Sequence, residues 1–207
     1  VMGFGPDQAS LSLKLAIEPG NRPRVAVIGL IPESLNRLMY AFRPYYTYPA
    51  VDGPLGFKPV LVPNGDSYEM RWFVPPDPRD GAALEAAIER AGEVDAFAAQ
   101  RRASLKFPFT LEVIRYLRAR GVGPSVPWPG ETPEAARRLH FVLRQFVDLA
   151  EQYHFVPALM LMPMDEGQLK VGAVPLLGKA LADLDPAIAS RLVVVDLAKA
   201  WADRRKA

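Results

Sequence analysis

Residues 24–30, RVAVIGL, form an aliphatic run fenced by Pro23 and Pro32. A short run with no polar alternation predicts a parallel strand buried on both faces. Two further runs have the same character, VPALMLMP at 156–163 and RLVVVD at 191–196. Helical patterns lie between them. Residues 33–43 carry Leu35, Leu38, Met39 and Phe42 at helical spacing. Thr132-Pro133-Glu134 opens a long helix, because threonine caps, proline fits the first turn and glutamate suits the dipole. Its apolar face is Leu139, Val142, Leu143, Phe146, Leu149, Ala150 and Tyr153. Shorter helices are predicted over 6–18 and around 174–184. This alternation predicts an α/β fold, an open parallel sheet covered on both faces.

The pattern breaks after residue 43. KPVLVP and YEMRWFV flank Asn64-Gly65, and Asn-Gly between two β-rich runs predicts a hairpin with a type I′ turn, at about 58–74. Prolines, 21 in all, concentrate at 44–78 and 123–133. Residues 44–106 therefore read as a proline-rich insertion holding the hairpin and a helix that starts near 79 and runs to 103. A further helix is predicted at 108–120, ended by Gly121.

Composition narrows the function. A net charge of +2 over 207 residues leaves no electrostatic footprint for nucleic acid. No apolar run reaches the ~18 residues of a membrane span. With no cysteine there is no disulfide, no thiolate nucleophile and no cysteine-based metal site. The sequence points to no metal and no cofactor, and it leaves compartment and oligomeric state open.

Gly65-Asp66-Ser67 matches the GDS nucleophile block of serine esterases. In that block the serine ends a buried strand and opens a helix, where the helix start stabilises charge at the oxygen. Ser67 is instead followed by an alternating strand pattern, and the Asn-Gly turn accounts for it. The two histidines agree. A serine hydrolase needs a base oriented by a carboxylate. His140 follows Arg137 and His154 follows Glu151 at the relevant spacing, so neither forms Asp-x-x-His. Both read as structural or surface histidines. Gly3-Phe4-Gly5 lacks the third glycine of a dinucleotide site. Glu33 and Asp165 both follow strands, at the ligand-bearing edge of an open sheet. The aromatics of YYTYPAVDGPLGF would suit either a carbohydrate-contacting loop or a packed insertion.

Several segments together resemble the SGNH hydrolases. VMGFGPDQASLSL resembles the family's GxGxxQ block. RPRVAVIGLIPESLNRLMYAFRPYY, with Lys58-Pro59 after it, is similar to a subgroup of uncharacterised bacterial SGNH proteins. TPEAARRLHFVLRQFVDLAEQYHFVPALMLMP and RLVVVDL fit the later helix–strand order. The resemblance implies a flavodoxin-like three-layer α/β/α domain with a parallel sheet. It also implies a serine, histidine and aspartate that act on O-acyl esters, such as acetyl esters of carbohydrates. The family order is serine block, glycine block, asparagine block, then Asp-x-x-His. The glycine block starts at residue 3, so the expectation is a middle portion, a single partial domain over 1–207, inactive alone.

By this resemblance Gly3 supplies an oxyanion N–H, where no side chain can be tolerated. The oxyanion asparagine position falls on Glu33, a departure, since an ionised glutamate cannot stabilise an oxyanion. Asn36 would take the role only with a different helix start. Arg37 and Arg43 are the candidate contacts to an anionic or sugar substrate. The alternatives are a polysaccharide O-acetyltransferase of the same fold and a non-catalytic binding or structural protein.

Overall fold

The computed structural model describes residues 5–18, 20, 22–46, 56–77, 79–98, 129–163 and 175–204. Gly3, Asp165, the predicted helix at 108–120 and the aromatic stretch 47–55 lie outside them. The chain divides into two compact units, one of Val1–Leu38, Gly65–Tyr68 and Gly130–Ala207, the other of Met39–Asn64 and Glu69–Pro129.

The first unit is built on a three-stranded parallel sheet. Its strands are β1 (Val25–Leu30), β4 (Val156–Leu161) and β5 (Val193–Asp196), in the order β1-β4-β5. Val25 pairs with Val156 and Leu30 with Leu161, and Ala158 pairs with Val193. Helix α1 (Pro6–Ile17) and the long α5 (Pro133–Tyr153) pack on one another and on this sheet. The Thr132 side chain caps α5 through the Ala135 N–H, with Pro133 in the first turn, as the sequence predicts. Leu139, Leu143 and Phe146 of α5 are fully buried, each worth about 1.5–3 kcal/mol of apolar transfer. His154 ends α5 in the left-handed region, at φ 60°, and is exposed. Helices α6 (Pro175–Ala182) and α7 (Pro186–Ala189) also pack on α5, and α8 (Leu197–Arg204) packs on β4 and β5.

Burial of β1 departs from the expectation of two covered faces. Ala26, Ile28 and Leu30 are buried, whereas Val25 and Val27 are 53% and 54% exposed. A strand alternates its side chains between faces, and among the described residues only one face of β1 is covered.

The second unit holds α3 (Arg43–Tyr46), β2 (Val60–Asn64), β3 (Ser67–Arg71, whose first two residues group with the first unit) and α4 (Gly81–Val94). Strands β2 and β3 form a two-stranded sheet. The connecting turn is Gly65-Asp66, and Gly65 alone has positive φ, 59°. Glycine first, with the next residue at negative φ, is the type II′ pattern and not the I′ turn predicted from Asn64-Gly65. Ala41, Phe42, Val60, Val62 and Ala91 form the core.

Two predicted helices are shorter than their periodicity. The helix predicted over 33–43 stops as α2 (Glu33–Arg37), and the one predicted over 79–103 is α4, ending before Asp95. One residue explains both limits. The buried Asp95 carboxylate accepts from the Ala41 and Phe42 N–H groups at 2.8 and 3.0 Å, and from the Phe97 N–H at 2.8 Å. Those amides are thereby satisfied outside a helical ladder.

Candidate functional site at the carboxyl edge of the sheet

Loops leaving the carboxyl ends of parallel strands are where open α/β sheets bind ligands. In the first unit this edge carries the segment after β1, which includes Glu33, Ser34, Asn36 and Arg37. Met162 and Pro163 follow β4, and Asp196 ends β5.

The start of α1 meets this segment. Gly5 is the N-cap of α1, and the Gln8 side chain reaches back to accept from its N–H at 3.2 Å. A Cβ on Gly5 would lie 3.3 Å from Arg37 Cβ and 3.4 Å from the Arg37 carbonyl oxygen. It would also lie 2.4 Å from Asp7 Oδ1. Close approach, not backbone freedom, is why glycine stands here, since its φ is an ordinary −82°.

Glu33 begins α2 and pairs with Arg37 one turn on, at 3.2 Å. The Ser34 hydroxyl accepts from the Ile31 N–H at 3.0 Å. Asn36 Oδ1 accepts from the Gly130 N–H at 2.9 Å. The helix start is therefore at Glu33, not the different start that an oxyanion role for Asn36 requires. Arg43 opens α3 in the second unit, where its N–H donates to the Gly56 carbonyl at 2.7 Å. Of the predicted residues, Glu33 and Arg37 are brought into contact, and Asn36 is held by Gly130.

Gly130 shows how tightly this segment is tied down. A Cβ there would lie 2.7 Å from the Asn36 backbone nitrogen and 2.4 Å from Asn36 Oδ1. The side-chain oxygen could swing away, but the backbone atom belongs to α2. Gly130→Ala should therefore lower stability by about 1–3 kcal/mol through overpacking. Thermal unfolding reads this directly, and an unchanged melting temperature would show that the turn opens without cost.

Sequence reasoning missed a polar cluster at the start of α5. Glu134 receives Arg138 Nε at 2.9 Å and Arg137 Nη2 at 2.8 Å. The Tyr68 hydroxyl donates to the same carboxylate at 3.2 Å, and its ring packs on Phe141. Arg138 is buried and also donates to the Leu38 carbonyl at 3.0 Å. Burial pushes the Glu134 carboxyl up, but the hydrogen bonds from Arg138 and Arg137 outweigh it and hold the group below the usual range. Burial raises the Tyr68 phenol, with Glu134 adding to the rise and Arg137 working against it. The spacing Glu134, Arg137, Arg138 was the available signal, since i,i+3 and i,i+4 partners share a helix face.

Ser67 begins β3 and is exposed on a strand, so it does not open a helix as the serine of a GDS block does. His140 Nε2 lies 2.6 Å from the Ala180 carbonyl, which fixes it as a donor within the helical layer. Among the described residues no three histidine, aspartate or glutamate side chains cluster as a metal site, and no helix is long and apolar enough to cross a membrane. A shallow groove of about 320 Å³ lies elsewhere, lined by Leu13, Ala16, Ile17, Arg22 and Pro23. Those residues belong to the end of α1 and the approach to β1, away from the residues that follow the strands. No family model, no curated protein and no solved structure matches the chain.

Proposed function

We propose that this chain is the central part of an SGNH-type serine acyl hydrolase of flavodoxin-like architecture, acting on O-acyl esters such as carbohydrate acetates. The observation that carries this reading is the approach of Gly5 to the backbone of Arg37. It joins the start of α1 to the turn after β1, the two segments in which the family resemblance puts oxyanion groups. In the proposed reaction a serine outside residues 1–207 attacks the acyl carbonyl while a histidine takes its proton. The backbone N–H of Gly3 stabilises the oxyanion. Glu33 does not oppose that charge, because Arg37 balances it.

A fluorophosphonate probe tests this, applied to the 207-residue chain and to the gene product that contains it. The short chain should stay unlabelled, with or without Ser67→Ala. The longer protein should carry the label on a serine outside 1–207, and Gly3→Val should slow labelling by about 10²–10³-fold. Label on Ser67 would overturn the reading. So would a folded longer protein with no reactive serine, which is the outcome of the second reading, a non-catalytic protein of this fold. Glu33 in the position of the oxyanion asparagine favours that second reading, because a carboxylate has no N–H to donate to an oxyanion.

A further inference from the structure

Gly29 of β1 stands where any other residue would collide with a methionine from the neighbouring strand. A Cβ there would lie 2.6 Å from Met162 Cε and 3.6 Å from Met162 Sδ. The backbone itself does not call for glycine, since among the described glycines only Gly20 and Gly65 have positive φ. The strand lacks a side chain here, and the far end of Met162 lies down across it. Met162 follows β4, the middle strand of the three. Its N–H donates to the Leu30 carbonyl at 2.8 Å. Pairing stops there, because Pro163 has no N–H. Met160, two residues back and on the same face, pairs with Gly29. The Met162 side chain therefore doubles back from the end of the sheet over the next-to-last residue of β1.

We propose that Met162 is the end wall of the acyl pocket and holds the protein to short acyl groups such as acetyl. The inference rests on the acyl-hydrolase reading above and adds to it the residue that sets chain length. Position is the first argument. The backbone of Met162 is bonded to the residue just before Ile31, where the segment carrying Glu33 and Arg37 begins. Chemistry is the second. The acyl half of an ester is an alkyl chain, which a charged pair such as Glu33–Arg37 does not suit. A thioether is apolar and polarizable and packs well on alkyl groups. Met162 is partly exposed, as a wall that touches a ligand must be. Gly29 is the third. A methionine is ordinarily a flexible wall, but this one has its tip seated on backbone. The depth of the pocket is then set by how low the thioether lies, and a side chain at position 29 would lift it.

The test uses the longer gene product and nitrophenyl esters of two-, four- and six-carbon acyl chains, with kcat/KM measured for each. Wild type should prefer the two-carbon ester. Met162→Ala removes the Sδ–Cε end of the side chain and should raise the six-carbon to two-carbon ratio by about 10–100-fold, since each methylene accommodated is worth about 10–200-fold. Gly29→Ala meets only the far end of a flexible side chain, so the fold should survive while the thioether is lifted into the pocket. Its four-carbon to two-carbon ratio should therefore fall, a change of opposite sign from the neighbouring strand. Variants that are folded and still take up a fluorophosphonate on serine, yet keep the wild-type ratios, would overturn the role of Met162 and leave the hydrolase reading standing. A wild type that prefers the six-carbon ester would do the same. A folded longer protein that neither labels on serine nor cleaves any of the three esters would overturn the hydrolase reading, and this inference with it.

Discussion

Asp95→Ala should destabilise the second unit by about 3–5 kcal/mol, because three buried N–H groups lose their acceptor and each such loss costs about 1–3 kcal/mol. Alanine offers no oxygen, and water cannot follow, since Asp95 is 5% exposed and its neighbours Ala41 and Phe97 are buried. Asp95→Asn should fall between. Its single oxygen can take the place of Oδ2 and serve Ala41 and Phe42, but its amino group then confronts the Phe97 N–H, donor against donor. Urea unfolding followed by circular dichroism gives the comparison. A loss below about 1 kcal/mol for the alanine variant would show that the segment refolds around other acceptors.

The same residue has a pH signature. Burial raises the Asp95 carboxyl, and the hydrogen bonds from Phe42, Ala41 and Phe97 only partly offset it. A carboxyl raised in the folded state binds protons there more tightly than in the unfolded chain. Its contribution is present below the ordinary carboxylate value and is lost as pH rises through the folded value. Wild type should gain on Asp95→Asn as pH falls from neutral toward about pH 4.

Asp95 also marks where sequence reasoning stopped. The strand runs were legible because 24–30, 156–163 and 191–196 are aliphatic and bounded, and their parallel order follows from the helices between them. The α5 start was legible because Thr132 and Pro133 act locally. What failed depended on distant partners. Leu38, Met39 and Phe42 keep helical spacing, yet all three are buried in a non-helical segment held by a carboxylate more than fifty residues away. The turn class failed differently. Asn-Gly marks a tight connection, but which pair occupies its centre depends on strand register, and Asn64 became the last residue of β2. At the site, the Glu33–Arg37 pair was readable from its spacing of four. The Asn36–Gly130 bond was not, since nothing in either segment announces the other.

The Asn36 and Arg138 contacts have one physical consequence in common. Asn36 holds the residue two places before the α5 cap, and Arg138 on α5 holds the carbonyl at the end of α2. The segment after β1 is therefore tied at both ends to the beginning of one helix. A site built on that segment is rigid, as backbone donors aimed at a developing charge require. A catalytic and a non-catalytic protein of this fold would differ in what lies opposite it, not in this scaffold.

Arg138→Met should cost about 3 kcal/mol, within the range for removing one partner of a buried ion pair. Methionine fills much of the stem volume, so packing loss is small and the polar loss dominates. The Leu38 carbonyl at the end of α2 loses its donor, and Glu134 Oε1 loses its shortest contact. Arg138→Lys should recover only part, because one ammonium cannot span a carbonyl and a carboxylate that a planar guanidinium holds with separate nitrogens. Glu134 supplies the discriminating measurement. Its carboxyl is held below the usual range, so its contribution is present above the ordinary value of 4.5 and is lost as pH falls through the folded value. The sign is opposite to that of Asp95, so the two groups separate in a pH series. Acidification from neutral should destabilise wild type through Glu134, and Arg138→Met should blunt that loss because one of the hydrogen bonds that hold the carboxyl low is gone. If the stability difference between wild type and Arg138→Met stays constant from neutral pH to well below 4.5, the arginine acts through packing alone and the ion pair contributes nothing to holding α2 against α5.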